Sequence, residues 1–148
     1  MASLRTDQLA ASQLSASAVM LAAGTSYAFS LFGPQLSATL NLSQSETALI
    51  ANCGNAGVSL GGPIVGYLID AYPDYVALLL AMGACLIFSG YSLIAFTYEG
   101  AIERPHYAVI GIYFLLVGLG SALCYHTALA TNYRNFPASW RSLCVHLC

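Results

Sequence analysis

Apolar residues fill this chain in long runs, and its ten charged side chains mark where the runs stop. Four uncharged intervals result: 38 positions between Asp7 and Glu46, 23 between Glu46 and Asp70, 24 between Asp74 and Glu99, and 29 between Arg104 and Arg134. A helix rises about 1.5 Å per residue, so about 20 apolar residues cross a hydrocarbon core of about 30 Å. Each interval reaches that length, and none holds two crossings with a turn. The pattern predicts an all-α polytopic bundle with four spans, at about 14–36, 45–69, 75–98 and 107–131. Residues 1–13 then form an N-terminal segment, 14–133 the transmembrane domain and 134–148 a short tail.

Local chemistry at the boundaries agrees with these intervals. Ser43 and Glu46 have the spacing of a capping box, which satisfies free N–H groups where a helix starts. Gly33-Pro34 is expected to end span one. Asp70-Ala71-Tyr72-Pro73-Asp74 is a tight turn, and Pro73 and Pro105 suit the first turn of the helices that follow. Tyr72, Tyr75, Tyr98, Tyr107 and Tyr133 fall near predicted edges, where a tyrosine keeps its ring in the apolar layer and its hydroxyl among headgroups. Short connections force neighbouring spans to run antiparallel.

Composition identifies the solvent. Apolar residues are 58% and charged residues 7% of the chain, against about 25% charged in a soluble domain, so the principal partner is a lipid bilayer. A net charge of -2, with no lysine and no basic run, excludes nucleic acid as a partner. Cys53, Cys85 and Cys124 lie within spans, where a thiol packs as a small apolar group. Cys144-Val145-His146-Leu147-Cys148 carries metal-ligating residue types, but one short cluster at a chain end defines no metal site. A cleavable signal peptide does not fit, because residues 6–17 are polar or small and the apolar run continues to Leu36. With the N-terminus in the cytoplasm, Arg5, Arg134 and Arg141 lie inside and Arg104 outside, as the positive-inside rule favours.

Span two carries the most information. At helical spacing Asn52, Asn55, Ser59, Gly62 and Gly66 form one stripe of polar or small side chains. Gly54, Gly57 and Gly61 form a second, roughly 200° around the helix. Gly57 to Gly61 and Gly62 to Gly66 have the GxxxG spacing that lets a second backbone approach closely. Small residues on opposite faces suit a helix gripped from both sides, which requires more helices than four or a second copy of the chain. Asn52 and Asn55 need partners inside a membrane, either as interhelical hydrogen bonds or along a solute path. Pro63 is expected to bend this span. Span three is plainer, mostly apolar with Gly83 and Gly90, as for a lipid-facing helix. Span four sets Gly111, Gly118 and Ala122 along one side and Tyr125, His126 and Thr127 towards its end. His126 suits either an interfacial hydrogen bond or proton transfer.

No carboxylate lies mid-span, which counts against a small multidrug exporter built on a buried acid. No nucleophile–base pair, metal-ligand set or glycine loop with lysine is present, so the chain is not expected to be an enzyme or to carry a cofactor.

Gly66-Tyr67-Leu68-Ile69-Asp70 resembles the Gly-x-x-x-Asp that opens the signature between helices two and three of the major facilitator superfamily. Ala71, Pro73, Asp74 and Tyr75 stand where that signature has basic residues and glycine. The stretch from Gly24-Thr25-Ser26-Tyr27 to Gly33-Pro34-Gln35-Leu36 resembles the first helix of the superfamily's nodulin-like members. Leu42-Ser43-Gln44-Ser45 followed by Gly54-Asn55-Ala56-Gly57 and Gly61-Gly62-Pro63 is similar to their second, and the likeness covers approximately 17–141. The resemblance implies twelve helices in two pseudo-symmetric halves that move a small solute by alternating access. It implies that Gly66 and Asp70 help to hold one conformational state, Asp70 facing the positive end of a helix dipole in the other half. It implies that helices one and four line the path, which nominates Tyr27, Tyr125 and His126.

Family members continue past the region of Pro137 to Arg141 into a fifth helix. Ser142 to Cys148 differs from that continuation, so the chain is expected to be a truncated transporter or an error in the gene prediction. The competing expectation is a genuine four-span scaffold or binding partner, pairing with itself or with a transporter through span two.

Overall fold

The computed structural model describes residues 6–103 and 105–135, all-helical with four apolar helices long enough to cross a membrane. Arg5, Arg104, Pro137, Arg141 and the Cys144–Cys148 cluster lie outside the described residues. The helices are α1 (Thr6–Gly24), α2 (Phe29–Leu40), α3 (Gln44–Ala71), α4 (Val76–Tyr98) and α5 (Tyr107–Asn135), with α1 and α2 together making the first span. The chain is an integral, multi-pass membrane protein.

Capping explains most of the helix ends. Ser43 Oγ accepts from the Glu46 N–H at 3.3 Å, and the Ser43 N–H donates to Glu46 Oε2 at 2.8 Å, so the expected capping box starts α3. Pro73 opens a 3-10 turn, Pro73–Tyr75, that leads directly into α4. Gly100, at φ 77°, stops α4: its N–H donates to the Thr97 carbonyl and that of Ala101 to the Phe96 carbonyl, closing a Schellman motif.

The first span departs from expectation. It starts before Leu14 and continues through Gly33-Pro34 to Leu40, where Asn41 adopts a left-handed conformation (φ 47°) and donates to the Ser37 carbonyl. Proline removes one backbone hydrogen bond, a loss that membrane helices tolerate. The helix is broken earlier instead, by a 3-10 turn at Thr25–Ala28.

The fourth span, α5, is the hub. It packs against α3, α4 and α1 more extensively than these pack on each other, and a larger share of it is buried than of the other three spans. Lipid supplies no hydrophobic drive between helices, so close backbone packing must do that work. Glycines permit it on both sides of α5. A Cβ on Gly57 would stand 2.5 Å from the Leu115 carbonyl oxygen, and one on Gly61 2.5 Å from Ala122 Cβ. A Cβ on Gly118 would collide with the Gly54 carbonyl. On the other side, Gly83 of α4 faces Gly120, whose Cβ would lie 2.7 Å from the Gly83 carbonyl oxygen. Gly54, Gly57 and Gly61 therefore pair with the Gly118–Ala122 side of α5. Gly83 and Gly90 lie in the buried seam of α4 with Leu79, Ile94 and Thr97.

Candidate functional site

The break in the first span is held by side chains. Thr25 Oγ1 donates to the Ala22 carbonyl at 2.7 Å and Ser26 Oγ to the Ala23 carbonyl at 3.2 Å. Such back-bonding competes with the helical ladder and bends it. From α4, Tyr91 OH donates to the Thr25 carbonyl at 2.8 Å, so a backbone group at the break finds a partner without water. Below it, Phe29 and Phe32 pack on Phe114 of α5, with ring centroids 4.8 and 6.3 Å apart.

Where the helix breaks, a cavity of about 350 Å³ opens between the first span, α3 and α5. Met20, Ala23, Val58 and Ala122 give it an apolar floor; Ser26, Tyr27, Ser121, Tyr125 and His126 supply polar groups. The break lies near the middle of the Leu9–Leu40 span, Val58 near the middle of α3, and Ser121 is the central residue of α5. The cavity is thus at the mid-depth of the bundle. Ser121 is only 3% exposed, yet its hydroxyl has no hydrogen-bond partner among the described residues. Ser26, Ser89, Thr97 and Thr131 all bond a carbonyl one turn back; Ser121 does not. Thr127 is the other buried hydroxyl without a partner, but it does not line the cavity.

His126 separates this cavity from a second, of about 520 Å³, lined also by Gly66, Asp70, Tyr133 and Arg134. Its Nε2 lies 3.2 Å from where a Gly62 Cβ would stand, so Gly62 makes room for the imidazole. At the far end Arg134 reaches Asp70 at 3.7 Å and the Ile69 carbonyl at 3.5 Å. The basic partner missing from the positions after Asp70 is supplied by α5. Beside this pair, Asn132 donates to Gln13 and accepts from Ser12 Oγ at 3.3 Å, and Asn135 donates to Ser12 Oγ at 3.0 Å. One end of α5 is thereby tied to both α1 and α3.

Tyr27, Tyr125 and His126 come together around the central cavity, and Gly66 and Asp70 around the neighbouring one. Asn52 and Asn55 do not join them: both are exposed on the face of α3 away from α5 and bond no other described helix. Ser121, Arg134 and the Gln13–Asn132 pair were not singled out from the sequence. A serine among small residues reads there as packing, and 64 residues separate Arg134 from Asp70 along the chain.

The nodulin-like family model matches residues 12–148. Two proteins named "Probable transporter MCH1" are similar: that of Aspergillus fumigatus is 32% identical over 125 residues, 78% of this chain and 19% of the relative. That of Wickerhamomyces anomalus is 32% identical over 120 residues, 80% of this chain and 23% of the relative. An uncharacterised membrane protein of Saccharomyces cerevisiae is 28% identical over 119 residues, 80% of this chain and 21% of the relative. The chain thus spans about a fifth of the length of the curated relatives it matches. No solved structure matches it. With four membrane helices, a family match over most of its length and relatives named as transporters, the chain belongs to the nodulin-like family, related to transporters of the major facilitator type.

Proposed function

We propose that these four helices are the opening helices of a solute transporter that works by alternating access, with the mid-depth cavity as their share of the solute path. The observation that carries this reading is the cavity itself: a broken helix, an unpartnered buried hydroxyl and three aromatic or imidazole side chains meet at the centre of three spans. Discontinuous helices at mid-membrane are where transporters place polar backbone and side-chain groups against a solute. No covalent chemistry belongs to this arrangement, and the proposed activity is not enzymatic.

Asp70 and Arg134 close the end of the path in this reading, and Gly66 leaves it open along α3. The N-terminus is proposed to face the cytoplasm, on the distribution of arginines. The exposed stripe Asn52, Asn55 and Ser59 is the surface on which further helices of a full-length transporter would pack, and Asn52 and Asn55 would find their partners there. That stripe also favours the second reading, a four-helix scaffold that binds a transporter or another copy of itself.

The path is tested by water access. With the native cysteines replaced, single cysteines at Tyr27, Tyr125 and Phe88 are exposed in membranes to a charged, membrane-impermeant thiosulfonate. Tyr27→Cys and Tyr125→Cys are expected to react at least tenfold faster than Phe88→Cys, whose ring is 75% exposed on the apolar outer face of α4. Equal rates at all three positions would remove the path and leave the scaffold reading.

A further inference from the structure

From the chemistry of the cavity lining we infer that the solute recognised there is small, uncharged and rich in hydroxyl groups; this rests on the cavity being a solute path. The polar residues that line it are Ser26, Tyr27, Ser121 and Tyr125, each with a hydroxyl, and His126 with its imidazole. A hydroxyl both donates and accepts, and so does a neutral imidazole. An anion can only accept and a fully protonated ammonium can only donate, so either would leave half of this capacity unused. A polyol or sugar hydroxyl matches it group for group.

Charge points the same way. The cavity lining contains no Asp, Glu, Lys or Arg, so an ion entering it would give up water without meeting a fixed counter-charge, which is costly at mid-membrane depth. The nearest fixed charges, Asp70 and Arg134, lie beyond His126 and face each other at 3.7 Å. Ser121 makes the site specific. Its hydroxyl is buried and has no partner among the described residues, so it is free to pair with a ligand hydroxyl once the side chain turns towards the cavity. The Ser26 hydroxyl already donates to the Ala23 carbonyl, so only acceptor capacity remains on its oxygen. The apolar floor of Met20, Ala23, Val58 and Ala122 suits the C–H face of a hydroxylated ring.

The test uses the purified 148-residue chain in phosphatidylcholine nanodiscs and saturation-transfer NMR with three probes at equal concentration: myo-inositol, acetate and methylammonium. Empty nanodiscs give the background. Saturation transfer to myo-inositol is expected to exceed that to acetate and methylammonium at least fivefold. Ser121→Ala, checked for unchanged thermal unfolding, is expected to lower the myo-inositol signal at least threefold. Tyr125→Phe, at a 40% exposed position, provides a second variant if Ser121→Ala is unstable. Acetate or methylammonium signals equal to or above that of myo-inositol would overturn the inference. So would a myo-inositol signal at background, or one that survives both variants. Any of these results together with fast labelling at Tyr27→Cys would refute the solute class and leave the water path standing. Slow labelling there would refute both.

Discussion

The two small-residue faces of α3 have the same look in sequence and opposite situations in the fold. Gly54, Gly57 and Gly61 are buried against α5, so close that a single methyl group at Gly57 would meet backbone atoms. In the other stripe Asn52, Asn55, Ser59 and Gly66 are exposed, and a methyl group at Gly66 would touch nothing within 4 Å, whereas Gly62 is half-buried beside His126 of α5. One face is therefore a contact that this chain completes by itself, and the Asn52–Ser59 part of the other is a contact it offers. Glycine spacing identifies a helix prepared for close approach; only the position of the partner helix says which face is already occupied.

The sharpest way to break this comparison is to add one methyl group to each face. Gly57→Ala is expected to destabilise the bundle by about 2–3 kcal/mol, because the new Cβ meets the Leu115 carbonyl oxygen at 2.5 Å and the Leu119 nitrogen at 3.0 Å, neither of which can rotate away. Unfolding by sodium dodecyl sulfate from a mixed micelle reads the difference. A loss below about 0.5 kcal/mol would mean that α3 and α5 are not locked through this face.

The hydrogen-bonded end of α5 comes next in size. Asn132 is 2% exposed and bonded to both Gln13 and Ser12 on α1. Asn132→Leu strands these partners and is expected to cost about 1–2 kcal/mol in the same measurement. Arg134→Gln, which removes the pair with Asp70 and the long contact to the Ile69 carbonyl, is expected to cost less than about 1 kcal/mol, since Asp70 is largely exposed and Arg134 about half exposed. If Arg134→Gln cost more than Asn132→Leu, α5 would be anchored through charge instead of through the amide cluster.

These differences also show how much the sequence reveals. Charge spacing was enough for four spans, because a bilayer penalises every charge placed inside it. The capping box was legible because both partners sit three residues apart. Glycine spacing marked the tight face of α3, and Gly118 and Ala122 marked its counterpart on α5. The break at Thr25–Ala28 was hidden, since Gly33-Pro34 is the stronger local signal and a partner of the backbone at the break, Tyr91, lies 66 residues away. Ser121 was hidden for a related reason: its significance lies in a hydrogen bond that it does not make. Tyr27, Tyr125 and His126 came from the likeness to a family, and spacing alone would not have joined helix one to helix four.

Gly66→Ala reverses the sign of the glycine prediction. With no atom near the new methyl, only helix propensity remains, and the substitution is expected to stabilise α3 by up to about 1 kcal/mol. The double change Asn52→Ala, Asn55→Ala is the smallest and the most discriminating. Both amides lack a partner helix within the described fold, so the four-helix chain should lose less than about 0.5 kcal/mol in the dodecyl sulfate assay. A larger loss would place these amides in a contact that the chain already makes, with another copy of itself as the simplest source, and its dependence on protein concentration would identify that contact. A negligible loss at every concentration leaves the asparagine face unoccupied in the isolated chain. The two faces of α3 would then differ in energy as they do in exposure.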